Sequence, residues 1–175
     1  MSIHIVIDGY NLIRQSKRLR AIERSSLQEG REALLDGLSA YRRVKHYPMT
    51  VVFDGIHADN LMQGRTRHKG INVLFSRAGE SADAVIKRLV YREAERAVVV
   101  TSDREIADFS ARQGAATIGS VEFEEKMKRA AHGALTAAES NEDEEGGWMP
   151  TTKKKGPSHR PPKRQRKSRV RTRKL

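Results

Sequence analysis

Apolar residues occur along this chain in short runs that alternate with segments of helical periodicity. Runs of four or five mostly β-favouring residues are typical of strands that are buried on both faces of a parallel sheet. Five strands are predicted in this way, at residues 3–7, 50–53, 71–75, 97–101 and 115–118. The first two strands are each followed by an Asp-Gly pair, so the sequence predicts an acidic side chain at the end of each of them.

The segments between the strands carry apolar residues at the spacing of amphipathic helices. Ser25-Ser26 is a candidate cap for a helix that runs to about Val44, and further helices are predicted after residue 80, after residue 103 and over residues 121–137. Residues 10–20 predict either a helix or an irregular basic segment, and residues 56–70 a long connection that is functional or mobile. Alternating strands and helices predict an α/β fold whose central parallel sheet is covered by helices on both faces.

The positive charge is concentrated at one end of the chain. Of the 34 Lys and Arg residues, twelve lie within residues 150–175, which contain no Asp or Glu and so account for the net charge of +12. We therefore expect a neutral domain at residues 1–138, an acidic linker at 139–149, and a basic tail at 150–175 that is disordered because it has few apolar residues to bury. Such a tail favours a polyanionic partner, above all RNA.

The chain has no cysteine and no apolar run of the roughly 20 residues that a membrane-spanning helix needs. Disulfides and thiolate metal sites are therefore excluded, and a reducing compartment is the expected setting. No membrane partner is expected, and the predicted location is the cytoplasm.

Four acidic residues, Asp8, Asp54, Asp83 and Asp103, follow predicted strands or open the helices after them. In a parallel sheet all four would lie at the edge formed by the carboxyl ends of the strands, where open α/β folds bind their ligands. Each acid alone is equally explained as a turn or helix-cap residue, and Asp103 lies in a capping-box pattern. The recurrence of the pattern in four segments is what favours a shared site.

Carboxylates gathered at one edge would raise one another's pKa unless a cation neutralised them. Hard oxygen ligands favour Mg²⁺ or Mn²⁺, which can polarise a phosphodiester and activate a water molecule. Asn11 is close enough in sequence to Asp8 to take part by a hydrogen bond. Basic residues of the long connection and of the tail are candidates for contacts with RNA phosphates. They are Arg65, Arg67, Lys69, Lys153, Lys154, Lys155, Arg164, Arg166 and Lys167.

Four motifs together resemble one protein family. They are Ile5-Val-Ile-Asp-Gly-Tyr-Asn11, Val51-Val-Phe-Asp-Gly55, the segment from Phe75 to Asp83, and Val99-Val-Thr-Ser-Asp103. Their order and spacing resemble the YacP-like branch of the NYN domains, which are relatives of PIN-domain nucleases. The resemblance covers residues 3–137 and implies a PIN-like three-layer α/β/α fold and a metal-dependent endoribonuclease.

The resemblance also implies roles for particular residues. The matching positions are Asp8, Asn11, Asp83 and Asp103, with Asp54 at the second Asp-Gly and Ser102 at the Ser or Thr before the last acid. Of these, Asp8, Asp83 and Asp103 are the expected metal ligands, with Mg²⁺ or Mn²⁺ as the cofactor.

Two functions of different classes remain open. The first is an endoribonuclease that acts on RNA, with the ribosome as a candidate partner and DNA as a less favoured substrate. The second is an RNA- or ribosome-binding module whose nuclease centre is idle. Dinucleotide binding is disfavoured because no Gly-x-Gly-x-x-Gly motif follows the first strand.

Overall fold

The computed structural model describes residues 2–55, 64–139 and 163–175, and for residues 134–139 and 163–165 it describes the backbone alone. The strands are β1 (His4–Asp8), β2 (Met49–Phe53), β3 (Arg65–His68), β4 (Ile71–Phe75), β5 (Ala97–Val100) and β6 (Ala116–Ile118). The helices are α1 (Gly9–Gln15), α2 (Lys17–Ser25), α3 (Leu27–Lys45), α4 (Ala82–Glu93), α5 (Arg104–Arg112), α6 (Ser120–Glu139) and α7 (Lys163–Lys174).

The strands form one sheet in the order β3-β4-β2-β1-β5-β6. All neighbouring pairs are parallel except β3 and β4, which are antiparallel. Helices flank this sheet, so the predicted α/β fold with a central, mostly parallel sheet is confirmed.

Side chains alternate between the two faces of the central strands and so build two cores. Ile5 and Ile7 of β1 point into a core that also contains residues of α1, α3 and α6. Val6 of β1 points into the other core, with Ile86 of α4 and Ile106 of α5. Because both faces are buried, β1 reads in the sequence as a nearly continuous apolar run.

The strand order reverses its direction of growth between β1 and β5. From β1 the chain proceeds to β2 and β4 on one side, and α4 then carries it back to β5 on the other side. The carboxyl ends of β1 and β5 therefore border the crevice at which open α/β sheets bind ligands.

The expected connection at residues 56–70 contains a strand that the sequence did not reveal. Residues 65–68 form β3, which pairs with β4 at the edge of the sheet. The sequence predicted a connection here and not a strand. The strand was missed because the side chains of Arg65, Thr66 and Arg67 are exposed, so no buried apolar residue marks it. An exposed edge strand has no apolar alternation, and charges on such an edge discourage pairing with other chains.

The expectation of a disordered tail is wrong for residues 163–174, which form α7. Its inward-facing side chains are Ser168, Arg171, Thr172 and Leu175, at the spacing i, i+3, i+4, i+7 of one helix face. Only Leu175 among them is apolar, so this face gives no hydrophobic periodicity in the sequence. Polar contacts, described below, hold the helix to the domain.

Some expectations lie outside the described residues. The acidic linker, from residue 140 onward, and residues 150–162 of the tail, including Lys153, Lys154 and Lys155, belong to this group. The domain boundaries at 138 and 149 therefore stay predictions, and α6 reaches Glu139. Within the described part of the chain, no helix is both long enough and apolar enough to span a bilayer.

Candidate active site

Asp8 is the last residue of β1 and also the N-cap of α1. Its Oδ1 accepts a hydrogen bond from the backbone N–H of Asn11 at 3.2 Å, and its Oδ2 accepts one from the hydroxyl of Thr101 at 3.4 Å. The side chain is almost buried, with 9% of Asp8 exposed. Asp8 is therefore a helix-cap residue and not a turn residue, and its carboxylate lies at the crevice.

The glycines after Asp8 and Asp54 are required by close contacts rather than by turns. A Cβ atom on Gly9 would lie 2.3 Å from the ring of Phe53, and one on Gly55 would lie 2.0 Å from the carbonyl oxygen of Ser76. Neither glycine has a positive φ. The two Asp-Gly pairs thus allow tight packing directly behind the carboxylates.

Asp103 caps α5 in the same way that Asp8 caps α1. Its Oδ1 accepts hydrogen bonds from the backbone N–H groups of Glu105 at 2.7 Å and Ile106 at 3.2 Å. Its own N–H donates to the hydroxyl oxygen of Thr101 at 3.1 Å. Since Thr101 also donates to Asp8, one buried threonine connects the two acids on either side of the crevice.

Asp83 lies in the first turn of α4, whose N-cap is Ser81. One turn later on the same face, Lys87 forms an ion pair with Glu105 of α5. The hydrogen bond and the charge of Glu105, followed by the charges of Asp83 and Asp103, raise the pKa of Lys87 above its usual range. This lysine therefore places a positive charge near Asp83 and Asp103.

Asn11 and Ser102 have positioning contacts that differ from those expected. The side-chain oxygen of Asn11 accepts hydrogen bonds from the backbone N–H of Ser102 at 2.9 Å and from the hydroxyl of Ser120 at 2.7 Å. The Ser102 hydroxyl oxygen accepts from the backbone N–H of Ser120 at 3.2 Å. Asn11 thus joins the starts of α1 and α6 to the loop after β5, and it reaches Asp8 through its backbone rather than its side chain.

Asp54 follows β2, the neighbour of β1, and accepts a hydrogen bond of 3.5 Å from the hydroxyl of Ser76. That hydroxyl oxygen in turn accepts from the N–H of Gly55 at 2.9 Å. The charge of Asp54 contributes to the raised pKa of Asp83, although less than burial and Asp103 do. Asp54 therefore belongs to the same acidic group at its periphery.

The electrostatics of the acids show that they share one environment. Burial, with smaller contributions from the charges of Asp83 and Asp103, raises the pKa of Asp8 to about 6 even though its two hydrogen bonds act to lower it. Burial, followed by the charge of Asp103, also raises the pKa of Asp83. Asp83 and Asp103 therefore lie close enough for their charges to act on Asp8, and Asp103 close enough to act on Asp83, as at a site that attracts a cation.

The acids do not form a closed set of metal ligands. Within the described part of the chain, no group of three or more His, Cys, Asp or Glu side chains is arranged to hold a metal ion. The donors nevertheless have the chemistry that suits Mg²⁺ or Mn²⁺, since they are carboxylate oxygens, and burial and neighbouring negative charges raise the pKa values of Asp8 and Asp83. Mg²⁺ usually keeps several of its waters and is held by one or two carboxylates, which fits an open arrangement of this kind.

The predicted basic residues lie at different distances from the acids. Arg65 pairs with Leu74, near the carboxyl end of β4, where the acids are. Arg67, two residues further on, points to the same face of β3 but pairs with Asn72, nearer the amino end of β4. Lys69 lies in the hairpin turn at the opposite edge, where its Nζ contacts Asp36 at 2.7 Å. Arg166 and Lys167 lie on α7, which also contains the backbone of Arg164.

Three residues at the site were missed at the sequence level. Thr101, Lys87 and Glu105 all contact or neighbour the acids, and each had a weak signal. Thr101 ends the strand before Asp103, Lys87 follows Asp83 by four residues, and Glu105 completes the capping-box pattern. These signals predict proximity, but the pairing of Lys87 with Glu105 depends on how α4 packs on α5.

A family model described as the YacP-like NYN domain matches residues 5–156. A curated Bacillus subtilis (strain 168) protein, described as uncharacterized protein YacP, is 29% identical over 85 residues, which cover 49% of this chain and 49% of that protein. The alignment thus spans about half the length of this relative.

The solved structures extend the similarity over most of the fold. The crystal structure of Rae1 (YacP) from Bacillus subtilis matches with a TM-score of 0.67 and 26% identity, covering 79% of this chain and 80% of that one. A single-substitution variant of the same protein matches with a TM-score of 0.65 at 23% identity, covering 79% and 86%, and supports the fold alone.

Proposed function

The chain belongs to the YacP-like NYN domain family, a branch of the PIN-like nuclease superfamily, and from this premise we propose that it is an endoribonuclease. It hydrolyses RNA phosphodiester bonds with the help of a divalent cation, Mg²⁺ or Mn²⁺. The observation that supports the proposal is the link between Asp8 and Asp103 through Thr101 at the crevice between β1 and β5, with Asp83 near enough for its charge to act on Asp8.

Asp8, Asp83 and Asp103 would hold the cation, and Asp54 would assist directly or through water. When bound, the cation polarises the scissile phosphate and lowers the pKa of a water molecule. Thr101 keeps Asp8 and Asp103 oriented through its two hydrogen bonds. These residues act as ligands and positioning groups rather than as proton donors.

Two further residues prepare the site for a polyanion. Asn11 holds the loop after β5 against α1 and α6, which fixes the position of Asp103 relative to Asp8. Lys87, paired with Glu105 and influenced by the charges of Asp83 and Asp103, would offset part of the negative charge that repels a phosphate group. Arg65 and Arg67, on the exposed edge strand, would contact the RNA backbone beyond the crevice.

The proposal is tested by RNA cleavage with Asp8→Asn and Asp103→Asn. Each change removes a negative charge but keeps a side chain that can cap a helix, so the fold should be retained. We expect cleavage to fall at least about a thousandfold because charge at the site carries the catalysis, while RNA binding measured in chelator is unchanged. Asp108→Asn, on the exposed side of α5, is the matched control and should cleave like the unmodified protein.

A second function, an RNA- or ribosome-binding module with an idle centre, is favoured by one observation. In the described part of the chain, the carboxylates are not arranged as a group of three metal ligands. The same assay distinguishes the two functions, since an idle module would bind RNA without cleaving it at any Mg²⁺ or Mn²⁺ concentration. Cleavage by Asp103→Asn at the parental rate would contradict the assignment of the site.

A further inference from the structure

Helix α7 is held to the domain by polar contacts along its inward face. The guanidinium group of Arg171 donates hydrogen bonds to the carbonyl oxygens of Glu95 and of Gly114, the latter at 2.9 Å. At the end of the helix, Leu175 is buried and its carbonyl oxygen accepts a hydrogen bond of 2.5 Å from the hydroxyl of Tyr41. These contacts, one turn apart, attach the C-terminal half of α7 to the domain.

The contacts place α7 at the edge of the sheet opposite the acids. Glu95 and Gly114 directly precede β5 and β6, so Arg171 lies beside the amino ends of these strands. Asp8 and Asp103 lie at the carboxyl ends of β1 and β5. A strand of four or five residues at about 3.3 Å per residue separates the two edges by roughly 15 Å.

The outward face of α7 is strongly cationic. Its exposed charged side chains are Arg166, Lys167, Arg169, Arg173 and Lys174. The helix contains no Asp or Glu, and Arg171, which attaches it to the domain, lies on the opposite face. These charges face solvent, and Lys167 among them also forms an ion pair with Glu95 at 3.6 Å.

A groove flanks α7 on each side, and cations line both. One groove, of about 490 Å³, lies between α7 and α6 and contains Lys45, Lys126, Arg129 and Arg173 with no acidic residue in its lining. The other, of about 410 Å³, runs along the start of β5 and is lined by Arg96, Arg166, Lys167, Arg171 and Lys174, with Glu95 as its acidic member. Two cationic grooves on either side of a basic helix match the charged backbone of a nucleic acid.

We propose that α7 and its two flanking grooves form a second RNA-binding surface, which holds the RNA backbone at the edge of the sheet opposite the acidic crevice. This surface rests on the proposed function in taking RNA as the polyanion. An RNA that is long enough to reach both edges is bound at two places, and the second contact raises its effective concentration at the crevice.

The chemistry of the surface favours RNA over a membrane. A helix that binds a lipid surface needs a broad apolar face to insert below the headgroups. Among the described side chains of α7, Val170 is the one large apolar residue that is exposed. The surface therefore offers charge without an inserting face.

The test compares two triple variants that lose the same charge from different helices. Arg166→Gln/Arg169→Gln/Arg173→Gln removes three outward cations of α7 and keeps Arg171 and Leu175, so the helix stays anchored. Three exposed arginines of α2 are replaced in the control, Arg18→Gln/Arg20→Gln/Arg24→Gln. Binding of a labelled RNA is measured over a range of salt concentrations in chelator, and its result is therefore independent of cleavage.

We expect the α7 variant to bind an RNA of about twenty nucleotides at least about tenfold more weakly. The slope of log affinity against log salt concentration should be reduced in magnitude by about 2, because binding with fewer phosphate contacts releases fewer counterions. The α2 variant should bind within about twofold of the unmodified protein. An unchanged affinity and slope for the α7 variant, or an equal loss for the α2 variant, would overturn the surface. Tighter binding of the unmodified protein to phosphatidylserine vesicles than to RNA, lost in the α7 variant, would instead show that this surface binds a membrane.

Failure of this surface and failure of the nuclease proposal remain separate results. If α7 does not bind RNA, cleavage that depends on Asp103 still supports the nuclease. If the protein cleaves nothing, a specific loss of RNA affinity in the α7 variant still supports the second surface.

Discussion

Asp8 carries the largest electrostatic cost at the site, because it is nearly buried and lies near two other carboxylates. Its pKa rises from 3.8 to about 6 in the folded protein. The folded state therefore holds a proton on Asp8 more tightly than the unfolded chain does. This favours folding below about pH 4, and the advantage is lost as the pH rises through about 6, where ionisation costs about 3 kcal/mol.

We predict that Asp8→Asn raises the free energy of unfolding in chelator above pH 6 by up to about 3 kcal/mol, because the amide cannot ionise. The gain should shrink as the pH falls from 6 to 4 and vanish below pH 4, where the carboxyl is protonated in both states. Urea unfolding across this range measures it, with exposed Asp108→Asn as the control that shows little pH dependence. A loss of stability at pH 7.5, or a difference that does not vary with pH, would contradict the burial of an ionised Asp8.

At the scale of elements, the acids are positioned by strands and helix starts that pack without space between them. The loop after β2 passes so close to the end of β4 that Gly55 has no room for a side chain. Asp54 and the hydroxyl of Ser76 meet in this same contact. Packing between these two loops therefore decides where Asp54 points.

We predict that Gly55→Ala lowers the free energy of unfolding by about 1–3 kcal/mol, the usual cost of forcing extra volume into a packed region. The added Cβ would meet a backbone oxygen at 2.0 Å, so the loops must move apart. Gly119→Ala is the matched control because a Cβ there meets no atom within 4 Å. Urea unfolding of both variants checks the prediction, and equal stabilities would show that the approach of the loops is not tight.

The elements that the sequence predicted correctly are those whose burial leaves a pattern. The run Ile5 to Ile7 is apolar at every position because helices cover both faces of the sheet. The apolar stripe predicts the helix that ends near Val44, and of the predicted pair Ser25-Ser26 it is Ser26 that caps it, accepting a hydrogen bond from the backbone N–H of Glu29 at 3.3 Å. Such elements are determined locally and are readable from one sequence.

The missed elements and contacts depend on tertiary partners. The strand β3 is paired on one side and exposed, and α7 is attached through Arg171 and main-chain oxygens. The acids could be placed at one edge from topology alone. Their separation, the bridge through Thr101 and the pairing of Lys87 with Glu105 follow from side-chain geometry that no spacing encodes.

At the scale of the whole molecule, opposite charges are found at opposite edges of one sheet. The carboxyl ends of the strands carry the acidic crevice, and the amino ends carry α7 with its cations. A polyanion would be repelled from the crevice unless a cation neutralised the acids, whereas α7 attracts it directly. Under the proposed function, divalent cation binding would therefore be the condition that links affinity for RNA to its cleavage.

The measurement that tests this account most directly is the rate of RNA cleavage as Mn²⁺ is added to chelator-treated protein. Asp83 is the informative position because it caps no helix and so can be changed with little structural effect. We predict no cleavage without the ion, saturation for the unmodified protein, and at least about tenfold more Mn²⁺ for half-maximal cleavage by Asp83→Asn. Cleavage in chelator, or an Asp83→Asn curve that overlays that of the unmodified protein, would contradict it.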